Sequence, residues 1–269
     1  MDWSNVTWKV APEAIAAMGL VGLFALMLPL GLALFFWKRA GGRWRFFGMG
    51  CVVFPLFAMG LEGSINRAVL YGPWGGALAG NLWLYALYGG LMAGIFEECG
   101  RWCALRLGRR WSRGPGDALM YGAGHGGIEA VLLVGTTMFN NIVLSLAMNR
   151  GGLEAVEAIM GPLPDAALAS LAPLTAAPAS VYLWSGFERL VAVALHISLS
   201  VLVYAAVTRK GGARWLPAAI GIHALVDGAA IAASVWLPVP AVEGLVLALT
   251  VLTALLARWV WRGEGTKTT

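Results

Sequence analysis

AIAAMGLVGLFALMLPLGLALFFW, residues 14–37, is an uninterrupted apolar stretch without a single charged side chain. About 20 such residues cross the hydrocarbon core of a bilayer as a helix, because each residue rises about 1.5 Å along the helix axis. Comparable apolar runs follow at residues 46–65, 77–104, 118–148, 183–207, 216–237 and 242–261. The sequence therefore predicts an all-α fold, a polytopic membrane helix bundle of about seven transmembrane helices.

The composition agrees with a chain whose main solvent is lipid. Of its 269 residues, 59% are hydrophobic and 12% are charged, whereas soluble domains carry roughly 25% charged residues. Seven spans and their loops leave no room for a sizeable soluble domain, so we expect a single integral membrane domain over residues 1–269. We expect its functional core at about 77–237 and short helices on the outer face in the long connection at about 149–182.

Basic residues are concentrated at every second boundary between predicted spans. They occur in KRAGGRWR at 38–45, in RLGRRWSR at 106–113, in TRKGGAR at 208–214, and after the last span at Arg262 and Lys267. Lys and Arg are retained in cytoplasmic loops, so the pattern predicts an outside N-terminus and a cytoplasmic C-terminus. This topology explains the net charge of +5 without a nucleic-acid partner. We expect the surrounding bilayer to be a prokaryotic plasma membrane.

Charged and histidine residues interrupt the predicted spans. A charge at the centre of a membrane helix costs about 2.5 to 3.5 kcal/mol on insertion scales, so such residues persist mainly where they are paired or functional. The third to sixth spans contain Glu97, Glu98, Arg101, His125, Glu129, Glu188, Arg189, His196, His223 and Asp227. Glu62 and Glu243 lie near outer helix ends, where interfacial solvation suffices, and we expect no role for them.

The spacing of these residues predicts one polar layer. Three acid–base pairs are four residues apart and share a helix face, namely Glu97 with Arg101, His125 with Glu129, and His223 with Asp227. Counted from the basic loops at 1.5 Å per residue, the glutamates and histidines lie roughly 13 to 18 Å from the cytoplasmic side. We therefore expect helices three to six to enclose a polar cavity in the cytoplasmic half of the membrane or near its middle.

Such a cavity permits two kinds of hydrolytic chemistry. In one, a glutamate removes a proton from a water that attacks a peptide carbonyl, while a histidine orients that water. In the other, imidazoles and a carboxylate hold zinc or another divalent metal, with His125, Glu129, His196 and His223 as candidate ligands. The absence of HExxH from the sequence favours the first. Because intramembrane Glu, His and Asp also form proton relays, a proton-coupled transporter is an alternative class.

At these positions the sequence resembles the YhfC family of intramembrane proteases, and with it the PrsW and type II CAAX prenyl proteases of the glutamic superfamily. EECGR at 97–101 is similar to the first motif, GHGGIEA at 124–130 to the second, and HALVD at 223–227 to the last. The resemblance implies an endopeptidase that cleaves a membrane-embedded or membrane-proximal peptide, and on this interpretation no cofactor is required. The catalytic residues it implies are Glu97, Glu98, His125, His196 and His223, and the supporting ones are Arg101, Glu129, Glu188 and Asp227.

The first and last motifs depart from those of CAAX proteases. The first motif of those proteases is EExxxR, and the shorter spacing here predicts that Arg101 lies above Glu97 on the same helix face. Their last motif commonly ends in Asn, whereas the charge of Asp227 would need a cation such as Arg101 or Arg189. The adjacent Glu188 and Arg189 can also form a simple ion pair, and buried charges can pin helices together without catalysis.

Overall fold

The computed structural model describes Trp3 and residues 6–262, and these residues form helices without any strand. The α-helices are α1 (Pro12–Ala40), α2 (Trp44–Phe54), α3 (Gly63–Leu70), α4 (Gly75–Ala79), α5 (Leu82–Gly108), α6 (Gly116–Glu129), α7 (Thr136–Met160), α8 (Asp165–Ala176), α9 (Ala179–Thr208), α10 (Trp215–Ser234) and α11 (Val239–Arg262). The all-α class is confirmed over this part of the chain. Lys267, which contributes to the charge pattern, lies outside the described residues.

Six helical segments are long and apolar enough to cross a membrane. They are Pro12–Ala40, Trp44–Leu70, Gly116–Met160, Ala179–Thr208, Gly212–Ser234 and Val239–Arg262. The predicted third span corresponds to α5, which is 27 residues long but carries Glu97, Glu98 and Arg101 in its interior and is not among the six. A multi-pass membrane protein is therefore supported, with six spans identified by length and composition.

The third predicted span begins later than the apolar pattern indicates. Residues Gly75–Ala79 form the separate short helix α4, and α5 starts at Leu82. The side chain of Asn81 accepts hydrogen bonds from the backbone amides of Trp83 and Leu84, each at 3.1 Å. An N-cap of this kind pairs amides at the start of a helix that have no helical acceptor, so Asn81 sets the first turn of α5.

Two of the membrane spans, Trp44–Leu70 and Gly116–Met160, are each interrupted by a π-helical segment. The first, Pro55–Glu62, separates α2 from α3, and the second, Ala130–Gly135, separates α6 from α7. Pro55 has no backbone N–H to donate, which weakens regular α-helical hydrogen bonding at the start of the first segment. One π segment ends at Glu62 and the other begins directly after Glu129, so each borders an acidic residue. Short π segments occur frequently at functional sites.

The long connection contains short helices, as the sequence predicts. The helix axis of α7 is interrupted at Gly151 and Gly152, and Gly152 has a φ of 64°, a left-handed conformation that glycine adopts without a Cβ clash. The remainder of α7 and the separate helix α8 follow this break. The placement of these helices on the outer face stays a prediction.

The chain forms two compact units, each with its own apolar core. The first consists of Met1–Met27 and Ala130–Arg189, and the second of Leu28–Glu129 and Leu190–Thr269. Representative buried side chains are Met18, Met148 and Val156 in the first unit, and Phe46, Tyr121 and Leu199 in the second. The single membrane domain expected from the sequence stays a prediction.

Within the second unit, glycines allow two pairs of helices to approach closely. A Cβ on Gly90 of α5 would collide with the carbonyl oxygen of Ala224 in α10. A Cβ on Gly124 of α6 would collide with the carbonyl oxygen of Phe47 in α2. Small residues at helix contacts are a common basis of packing in membranes. These contacts fix α5 against α10 and α6 against α2, and thereby position the polar side chains that the helices carry.

Candidate active site

Polar side chains from four helices of the second unit meet in its interior. They are Glu97, Glu98 and Arg101 of α5, His125 and Glu129 of α6, His196 of α9, and His223 and Asp227 of α10. All of them are buried except Asp227, whose side chain is 38% exposed. The predicted convergence of the third to sixth spans on one polar layer is therefore present in the structure.

Glu97 is surrounded by imidazoles. Its Oε2 atom lies 2.9 Å from Nε2 of His125 and 3.8 Å from Nδ1 of His196. The His125 and His196 rings are 5.0 Å apart between centroids. One carboxylate and two imidazoles from three different helices thus converge within a buried volume.

Glu98 contacts Arg101, the cation that the sequence analysis placed beside both glutamates, and it also contacts His223. Its Oε2 accepts a hydrogen bond from Nη1 of Arg101 at 3.0 Å, and its Oε1 lies 2.8 Å from Nδ1 of His223. The prediction that Arg101 lies above Glu97 is wrong, because the guanidinium turns toward α9 and places Nη2 2.9 Å from Nδ1 of His196. The two adjacent glutamates consequently have different surroundings.

The contact with Arg101 fixes the tautomer of His196. A guanidinium nitrogen is a donor only, so Nδ1 of His196 accepts this hydrogen bond and carries no proton. The proton of the neutral ring is then on Nε2, which lies 2.6 Å from Oε2 of Glu129. Arg101 and Glu129 therefore act on opposite sides of one ring and hold its orientation.

Asp227 takes its charge partner from its own helix. Its Oδ2 lies 3.5 Å from Nε2 of His223, one turn earlier in α10. Of the two arginines proposed from the sequence, Arg101 directs its guanidinium to Glu98 and His196. His223 lies between two carboxylates and joins Asp227 to the glutamate pair.

Glu188 belongs to the first compact unit rather than to the second. Its Oε2 accepts a hydrogen bond from Nε of Arg189 at 2.7 Å. This contact fits the simple ion pair that the sequence left open. The supporting role of Glu188 stays a prediction.

The centre of the cluster offers suitable ligands for a metal ion. Glu97, His125 and His196 each present one ligand atom, and these atoms lie within 4.8 Å of one another. Carboxylate oxygen and imidazole nitrogen are the donors that zinc takes in hydrolytic sites. Of the candidates named from sequence, His125 and His196 belong to this group and Glu129 contacts it through His196, whereas His223 is engaged by Glu98 and Asp227. The donor types and their spacing fit a divalent metal.

A polar chain beside the site was not anticipated from the sequence. Nδ2 of Asn66 donates to Oε1 of Glu62 at 3.1 Å, and the hydroxyl of Tyr88 donates to Oδ1 of Asn66 at 2.7 Å. Glu62 is also close enough to His223 and Asp227 to interact with both electrostatically. The four-residue spacing of Glu62 and Asn66, which places both on one helix face, is the feature of the sequence that could have predicted their contact. The prediction that Glu62 is merely solvated near a helix end therefore missed this connection.

Two comparisons with known proteins match most of the chain, and the family model covers the residues of the candidate site. A family model described as YhfC intramembrane metalloprotease matches residues 24–252. The uncharacterized membrane protein YhfC of Bacillus subtilis (strain 168) is 36% identical over 224 residues, which cover 82% of this chain and 86% of that protein. No solved structure matches the chain.

These matches support some sequence predictions and leave others open. The bacterial relative and the six apolar helices place the chain in a prokaryotic cell membrane as a multi-pass protein. The family description names a metalloprotease and does not support the expectation that no cofactor is required. The glutamic mechanism and the relation to PrsW and CAAX proteases stay predictions. By its match over most of its length, the chain belongs to the family described as YhfC intramembrane metalloprotease.

Proposed function

We propose that this protein is an endopeptidase that hydrolyses a peptide bond within or next to the membrane, at the group formed by Glu97, His125 and His196. The observation that carries the proposal is the convergence of one carboxylate and two imidazoles in the buried interior, with 2.9 Å between Glu97 and His125. Burying these groups is costly unless they are paired or used. The family description names the same class of reaction.

Glu97 is the proposed general base. Glu98 is neutralised by Arg101, whereas the nearest partner of Glu97 is Nε2 of His125, which can share a proton with it. Glu97 would take a proton from water while His125 orients the oxygen, which adds to the carbonyl carbon of the peptide. When the C–N bond breaks, the same proton passes from Glu97 to the leaving nitrogen, so the enzyme returns to its starting state.

The remaining residues are proposed to orient this centre and the substrate. Arg101 fixes Glu98 and the ring of His196, and Glu129 holds that ring from its other side. His196, His223 and Asp227 are assigned to substrate orientation, and the N–H groups of the two histidines also to stabilisation of the oxyanion. Preorganised donors of this kind lower the barrier, because they need no rearrangement as charge develops.

The donor set and the family description favour a metal-dependent form of the reaction. Glu97, His125 and His196 would hold the ion, with Glu129 close to the third of these ligands. When bound, a divalent ion supplies a Lewis acid and lowers the pKa of its water toward neutral pH. A different observation favours a metal-free glutamic form. Nδ1 of His196 already accepts a hydrogen bond from the cationic Arg101 at 2.9 Å, so this nitrogen is not free to bind a metal ion.

We also propose that α5 crosses the membrane as a seventh span. Its charges are compensated inside the second unit by Arg101 and the histidines, and they do not face lipid. With seven spans, the basic loops lie on one side, which gives an outside N-terminus and a cytoplasmic C-terminus. Single cysteines introduced into each loop, followed by labelling with a membrane-impermeant maleimide, test this topology.

Proteoliposomes test the reaction with a pool of single-span transmembrane peptides that carry a fluorophore and a quencher at opposite ends. We expect wild type to cleave members of this pool, and Glu97→Gln and His125→Gln to abolish cleavage while remaining folded. Glu13→Gln, in the first turn of α1, is the matched control and should cleave normally. Normal cleavage by Glu97→Gln, or proton flux in wild type without any cleavage, would overturn the proposal.

Elemental analysis separates the two forms of the mechanism. The metal-dependent form predicts about one divalent ion per chain, loss of cleavage on chelation, and recovery on adding zinc. Glu97→Gln and His196→Gln should lower the bound metal, whereas Glu13→Gln should not. Full cleavage by chelated, metal-free protein would establish the glutamic form.

A further inference from the structure

Three polar atoms around the candidate site are buried without a hydrogen-bond partner. They are Nε of Arg101, Nδ1 of His125 and the hydroxyl of Tyr121. A buried polar group without a partner destabilises the folded state, so native structures contain few of them. Their concentration beside one network of paired charges indicates polar groups that are kept for a ligand.

Tyr121 is the member of this set that no motif includes. It lies on α6 one turn before His125, and its side chain is fully buried. The two rings are 5.9 Å apart between centroids with an interplanar angle of 30°. The ring of Tyr121 therefore lies beside that of His125, where the apolar core of the second unit meets the polar cluster.

Several of the other donors around Glu97 already have acceptors. Nη1 and Nη2 of Arg101 bond Glu98 and His196, and Nδ1 of His223 contacts Glu98. The hydroxyl of Tyr121 has no such competing acceptor. A neutral donor in a water-excluded site stabilises an anion that develops beside it, and it needs no solvent to be displaced at that moment.

We propose that Tyr121 is a further catalytic residue, whose hydroxyl donates a hydrogen bond to the carbonyl oxygen of the scissile peptide bond as negative charge develops there. This role rests on the proposed hydrolysis at Glu97. As the water oxygen bonds to the carbonyl carbon, the π electron pair moves onto the carbonyl oxygen and Tyr121 retains its own proton. The pair returns to the carbonyl when the C–N bond breaks and the nitrogen receives the proton held by Glu97.

Tyr121→Phe tests the role, with Tyr182→Phe as its matched control. Tyr182 is also buried with an unpartnered hydroxyl, but it belongs to the core of the first unit. On the doubly labelled peptide pool, Tyr121→Phe should lower kcat by about 100- to 1000-fold, the usual loss for one oxyanion donor, with little change in KM. The thermal midpoint should stay equal or rise. A kcat within threefold of wild type, or an equal loss in Tyr182→Phe, would overturn the inference.

Binding of a peptide aldehyde gives a second measurement that needs no turnover. The hydrated aldehyde resembles the tetrahedral intermediate, so Tyr121→Phe should weaken its affinity while leaving that of the matching uncleaved peptide unchanged. Equal weakening for both ligands would indicate a structural role and reject the proposal. If Glu97→Gln is inactive and Tyr121→Phe is fully active, only the role of Tyr121 fails. If Glu97→Gln cleaves normally, the proposed hydrolysis fails.

Discussion

Replacing Arg101 with methionine perturbs the buried charge network at its centre. The substitution removes a 3.0 Å contact with Glu98 and a 2.9 Å contact with His196. It leaves Glu98 fully buried, with His223 as its remaining partner at 2.8 Å. Removing one partner of a buried ion pair costs about 3–5 kcal/mol. Because His223 still contacts Glu98, we expect the lower end of that range, about 3 kcal/mol, in the free energy of unfolding measured in mixed micelles.

A second substitution shows whether the loss comes from an uncompensated charge. Adding Glu98→Gln to Arg101→Met removes that charge and should recover about 1–2 kcal/mol of the loss. Arg101→Lys should be intermediate, because one ammonium does not reproduce the two-pronged contact of a guanidinium. A free energy for Arg101→Met within 1 kcal/mol of wild type, or no recovery in the double variant, would refute this account of the network.

Three further substitutions test packing and charge outside this contact, each by thermal unfolding in detergent. Gly124→Ala should destabilise the protein by about 1–3 kcal/mol, because its Cβ would collide with a backbone carbonyl of α2; Gly19→Ala, which meets nothing within 4 Å, is the control and should be tolerated. Asp117→Ala should lower the free energy of unfolding by about 2–4 kcal/mol, because the buried carboxylate accepts hydrogen bonds from two side chains and two backbone amides. Its control, Asp165→Ala, removes one exposed contact and should lower that free energy by less than about 1 kcal/mol. Asp227→Asn should change stability by less than about 1 kcal/mol, because its side chain is 38% exposed and the amide oxygen can still face the neighbouring histidine. Equal midpoints for either matched pair, or a large loss for Asp227→Asn, would contradict the corresponding assignment.

The sequence was sufficient to predict the helices and most of the polar layer. Long apolar runs have one stable solution in lipid, since a helix satisfies its own backbone hydrogen bonds. The cost of burying charge makes Glu97, His125 and His223 conspicuous within such runs. The start of α5 at Leu82 was also accessible, because Asn81 is a preferred N-cap residue. The apolar pattern alone extended that span too far toward the N-terminus.

Contacts between distant helices were not accessible from spacing. Glu97 and Glu98 are both within one turn of Arg101, and periodicity favoured Glu97 as its partner. In the structure the guanidinium bonds Glu98 and at the same time His196 on α9, which is 95 residues away in sequence from Arg101. Tyr121 escaped notice for a related reason, because a tyrosine in a membrane helix is unremarkable until its ring is found beside that of His125 and its hydroxyl buried without a partner.

The two adjacent glutamates, Glu97 and Glu98, have different partners, and this difference connects the fold to the proposed chemistry. Arg101 and His223 compensate Glu98, which makes that carboxylate a structural anchor between α5 and α10. Glu97 is left with His125, whose Nε2 can share its proton, and His125 and His196 together offer two nitrogen ligands beside it for a metal. The metal-dependent and glutamic mechanisms therefore require the same asymmetry. Substitutions that moved the Arg101 contact from Glu98 to Glu97 would neutralise the proposed base, and they should abolish cleavage by either mechanism.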